Sequence, residues 1–199
     1  MSARTVLGIA AVVGGLVLSR RAEPPGTGGP ETPSGSASRL LGPLADIAAD
    51  VRWFQVERAL RDGLPTRAIL SAERAVTLAP EDVLGWTRYA SLVGTHLGSP
   101  ETEPDPATRL AWVRAAQRIY ARGAAAVADA TELHLAEAAL LVSRVDTDPD
   151  LPWPDGPSEP WRLAAEAFDR ATRHAPHAAE LAAAARRFAA EATDSTEDP

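Results

Sequence analysis

The chain has 199 residues, a net charge of −7 and no cysteine, which allows one sizeable core with extensions and excludes disulfides, thiol chemistry and Cys-ligated zinc. All 20 basic residues are arginine, and residues 1–21 hold three of them and no acid. The remainder therefore stands at −10, a balance that disfavours a phosphate-binding nucleic-acid surface.

Residues 5–19 (TVLGIAAVVGGLVLS) carry no charge and lie between Arg4 and the Arg20-Arg21 pair. As a helix these 15 residues reach roughly 22 Å, short of a hydrocarbon core of about 30 Å. Ser2, Ala3 and outward-reaching arginines close most of that gap, so residues 1–21 are expected to form a single-pass membrane anchor. The apolar length also suits a cleavable signal peptide, but no Ala-x-Ala site precedes Arg20. Arginines at both ends leave the orientation open. Ala10/Gly14 and Ala11/Gly15 have the small-residue spacing found where membrane helices pack closely. Residues 22–38 form a Pro/Gly/Ser/Thr tether, 39–192 the folded domain, and 193–199 an acidic tail.

About a fifth of the residues are alanine and β-branched runs are scarce after residue 20, so the domain is expected to be all-α. A first helix starts at Pro43 and runs to Asp62, with Gly63 closing it. Leu44, Ile47, Val51 and Phe54 line one of its faces, and Trp53, Val56 and Leu60 an adjoining one. A second helix opens at Pro65 or Thr66 and stops at Pro80. A third, 83–97, sets Trp86, Tyr89, Ala90 and Val93 at helical spacing. Further helices are expected over 107–122, 130–145, around Ala164–Ala171, and 178–192. Between them lie two Pro-rich acidic stretches, 98–106 and 146–160.

One pattern occurs twice. Ala68, Ala72, Ala75 and Pro80 stand at the same offsets as Ala164, Phe168, Ala171 and Pro176. Small residues at i, i+4 and i+7 let a neighbouring helix approach closely, and the proline stops the helix five residues on. With Gly63, Ile69 and Leu78 before Pro80, and Trp86, Tyr89, Ala90 and Val93 after it, the chain resembles the tetratricopeptide repeat (TPR) family of 34-residue helical hairpins. Trp53 is one residue out of the family register, and Val56 replaces the usual small residue. The two copies are 96 residues apart, whereas two regular units would take about 68; the acidic stretches of 9 and 15 residues fill most of the excess. The resemblance implies a right-handed superhelical solenoid of about three hairpins, with 178–192 as a C-terminal cap.

The two acidic stretches hold eight acids and no base. They suggest an acidic edge that steers a basic partner, with Trp153 as its apolar anchor. The spacing of Asp146, Asp148 and Asp150 is that of a calcium loop, but Leu151 and Pro157 replace the required glycine and glutamate. His174 and His177 flank Pro176, His96 and His134 stand singly, and no phosphate loop or nucleophile elbow occurs. No catalytic residue, metal or cofactor is therefore expected. The resemblance implies a concave groove for a protein or peptide, drawing on Trp53, Glu57, Arg61, Thr87, Ser91 and Thr95. Lacking lysine and asparagine, the chain cannot build the family's carboxylate clamp. The expected function is that of a membrane-tethered, non-enzymatic adaptor; the alternative is a structural subunit buried in a larger membrane assembly.

Overall fold

The computed structural model describes residues 43–194. Among these the protein is all-helical, with seven helices and no strand: α1 (Pro43–Arg61), α2 (Pro65–Leu78), α3 (Val83–Ser91, continued as a π-helix over Leu92–Leu97), α4 (Pro106–Ala126), α5 (Thr131–Thr147), α6 (Glu159–Ala171) and α7 (Ala178–Asp194). The expected anchor (1–21), tether (22–38) and most of the acidic tail lie outside the described residues. Among the described residues, no helix is long and apolar enough to cross a membrane.

Local chemistry accounts for the boundaries. α1 ends in a Schellman motif: Gly63 adopts φ 69°, the Leu64 N–H reaches the Ala59 carbonyl at 2.8 Å, and Gly63 N–H reaches Leu60 at 3.0 Å. Pro65 occupies the first turn of α2, where its missing N–H costs nothing. Asp105 caps α4, accepting the Thr108 N–H at 2.8 Å. α4 runs four residues beyond its expected end and carries Gly123 buried inside it. A Cβ at that position would stand 2.7 Å from Cγ of Trp86, so only glycine lets α4 lie on the indole.

Each helix packs against its neighbour in the chain, most extensively α1 on α2, α3 on α4, α5 on α6 and α6 on α7, and α3 also touches α5. Both copies of the repeated pattern form these contacts: Ala68, Ala72 and Ala75, and Ala164, Phe168 and Ala171, are all buried. One core lies among α1 to α4 around Trp86, Tyr89 and Val93, and a second among α5 to α7 around Trp161 and Phe168. The α5 residues Leu133 and Leu140 belong to the first core and the α4 residue Val113 to the second, which joins them.

Two features were not anticipated. α1 buries its small residues Ala45, Ala49 and Ala59 together with Val56, and turns the large residues Leu44, Ile47, Val51 and Phe54 outward. The end of α3 widens into a π-helix, where the Gly98 N–H reaches the Val93 carbonyl at 3.2 Å. Gly94 allows this part of α3 to press on α4 and α5; a Cβ there would lie 2.7 Å from that of Ala116.

Candidate binding groove

α1 and α3 diverge on one side of the domain and leave an open groove of about 580 Å³. From α1 come Trp53, Val56, Glu57 and Leu60; α3 and its π-helical end supply Thr87, Arg88, Ser91, Leu92, Thr95 and His96; Ser99 and Glu101 close it from the following turn. Five of the expected binding residues, Trp53, Glu57, Thr87, Ser91 and Thr95, thus share one surface. Both series sit at helical spacing, so each lines one side of its helix. Arg61 lies on the exposed last turn of α1 and does not line the groove.

The floor is apolar, with Val56 and Leu92 buried and Trp53 half-buried. The Arg88 guanidinium lies 5.9 Å from the centre of the Trp53 ring, a cation–π distance that keeps the indole edge oriented. Thr87 donates its hydroxyl to the Val83 carbonyl at 2.9 Å. Glu57, His96 and Glu101 are exposed along the rim.

The wall of the groove is held from behind. Arg144 of α5 is buried and donates to the carbonyls of Gly94 and, at 3.2 Å, Thr95. It thereby satisfies acceptors that the π-helix leaves open. Burial lowers its pKa below the ordinary arginine value, since its charge has only carbonyl dipoles in direct contact. Beside it the buried Arg109 forms a bidentate pair with Asp148 and donates to the Pro104 carbonyl at 2.8 Å, which pins the turn carrying Glu101. Sequence reasoning missed both arginines. Their only signal was a basic residue on an otherwise apolar helix face, which is also what a surface arginine looks like.

The acidic stretches differ most from expectation. Trp153, expected as an exposed apolar anchor, is buried, 9% exposed, and packs in the core with the Arg114 guanidinium 5.2 Å from its ring centre. Of the eight acids, Asp105 caps α4, Asp148 pairs with Arg109, Asp155 with Arg162, and Glu159 with Arg114. Glu103 accepts the Asp105 N–H at 3.1 Å, so five of the eight are engaged within the protein. Glu101, in the groove, and the exposed Asp146 and Asp150 face solvent.

Among the described residues, no three His, Cys, Asp or Glu side chains converge as metal ligands. His134 accepts from Arg170 at 3.4 Å and lies 3.9 Å from Glu137, while His174 and His177 are exposed at the turn before α7. No protein-family model matches the chain, and no curated protein or solved structure is detectably similar to it.

Proposed function

We propose that the protein is a non-enzymatic scaffold of the tetratricopeptide type, tethered to a membrane through residues 5–19, that holds a stretch of a partner protein in the α1–α3 groove. In this reading α1/α2, α3/α4 and α5/α6 are three hairpins of a right-handed superhelical solenoid, and α7 is its cap. The observation that carries it is the groove itself: an apolar floor around Trp53 and polar side chains at regular helical spacing along both walls. Such a surface suits a partner segment with an apolar side chain over Trp53 and a cation between Glu57 and Glu101.

Photo-cross-linking in the native membrane tests this. A photoreactive residue at Ser91 should capture one discrete partner, and Trp53→Ala should reduce the yield at least about tenfold, as expected for truncating an aromatic anchor. The same probe at Glu166, exposed on α6, is the control. Equal capture at both positions, or a yield indifferent to Trp53, would remove the groove as the binding site.

A further inference from the structure

Leu44, Ile47, Val51 and Phe54 are 63, 60, 49 and 71% exposed. Steps of three, four and three residues place them in one stripe about 15 Å long, on the side of α1 away from Ala45, Ala49 and Val56. A continuous stripe of large apolar side chains is not the ordinary scatter of a protein surface, and it calls for a cover. At the other end of the helix row α7 provides one, burying Ala178, Ala182 and Ala185 and leaving Arg186 and Arg187 outward.

We propose that residues 5–19 of the same chain are the cover for α1, packing antiparallel along the stripe as an alternative to entering a bilayer. Val6, Ile9, Val13 and Leu16 repeat the steps of three, four and three. Laid antiparallel as a helix, they meet Phe54, Val51, Ile47 and Leu44 in turn. The chain outside the described residues ends at residue 42, two positions before Leu44, and residues 20–42 form the connection. Twenty-three residues can span up to about 75 Å, far more than the roughly 10 Å between packed helix axes, so the chain is long enough to turn back over α1.

Charge favours this occupant over a second copy. Asp46 and Asp50 are exposed beside the stripe, and in a two-fold antiparallel pair of α1 helices they would meet their own images. Residues 5–19 bring no charge to that place. In the same register Gly14 and Ala10 lie level with Asp46 and Asp50, and Arg4 falls beside Glu57. The segment cannot occupy stripe and bilayer together, so covering α1 competes with membrane insertion.

The absence of native cysteine makes disulfide mapping clean. In the full chain in detergent-free buffer, Val13→Cys with Ile47→Cys should form an intramolecular disulfide. Val13→Cys with Phe54→Cys, about 10 Å out of register, should not. Failure of the in-register pair overturns the proposal. So does efficient dimer formation by Ile47→Cys with Val51→Cys, which would seat a second copy on the stripe. A second measurement uses phosphatidylcholine vesicles. Val51→Asp, at an exposed position, should raise the apparent vesicle affinity of the full chain about tenfold by emptying the covered state, with helicity unchanged. An unchanged affinity overturns the proposal.

Discussion

Arg109 and Asp148, 39 residues apart in the chain, face each other in the core through two parallel hydrogen bonds of 2.7 and 2.9 Å. The pair ties the start of α4 to the end of α5, and both partners are almost fully withdrawn from water. Removing one charge would leave the Arg109 guanidinium buried and uncompensated, with Arg144 close by. Asp148→Asn is therefore expected to cost about 3–5 kcal/mol, while Arg109→Met with Asp148→Leu recovers most of the loss. Urea unfolding of the three variants measures both, and a double variant no better than the single one would contradict the account.

The two tyrosines offer a spectroscopic check. Tyr89 and Tyr120 are both buried. Burial, with Glu73 beside it, pushes the Tyr89 phenol up to about 12, and burial raises Tyr120 as well. The native protein should show no phenolate absorbance step near pH 10, where unfolded tyrosine titrates. Between about pH 10 and 12 the folded state keeps protons that the unfolded state releases, so stability should fall as pH rises. A tyrosine ionising near 10 in the folded protein would refute this.

Gly123 tests the closest helix contact. Trp86 is fixed by its Nε1–H bond to the Pro80 carbonyl at 2.8 Å and by Arg122, 5.4 Å from the ring centre. Alanine is the better helix former by about 1 kcal/mol. Even so, Gly123→Ala should destabilise by about 1–3 kcal/mol, because its Cβ must displace a held indole. Thermal melting would show it as a lower Tm, and a rise would mean that α4 can shift freely.

Glu73 and Arg122 join α2 to α4 at 2.6 and 3.2 Å. The Arg122 hydrogen bond holds the Glu73 carboxyl below the ordinary glutamate value. The contribution is therefore fully present above the unfolded pKa and is lost as pH falls through the lowered folded value. Both side chains are partly exposed, so the effect is small and salt-sensitive. Glu73→Gln should flatten the acid limb of the stability profile at low salt, and an identical limb in both proteins would count against the pair.

How far the fold was legible depends on the kind of residue. Helical periodicity placed the second and third helices correctly, because Ala68, Ala72 and Ala75, and Trp86 and Tyr89, repeat on one face whatever they meet. The same rule found two apolar faces on α1 and could not rank them. Large residues promise more burial than alanines, but α2 packs close enough to take the alanine side. In the groove, spacing along α1 and α3 was sufficient for five residues. Arg61 continues the α1 series but falls beyond the reach of α3.

By itself the sequence determined what is local: the helical class, the turn at Gly63, the repeated small-residue face of α2 and α6, and the uncharged run at residues 5–19. These depend on propensity, capping and spacing over a few residues. Only the tertiary structure decided which acids are spent inside and which face solvent, that Trp153 is core, and that α1 offers its large residues outward. Several of those outcomes depend on partners far along the chain, such as Arg114 for Glu159 and Arg109 for Asp148. A charge or an indole looks the same in sequence whether its partner is water or another helix.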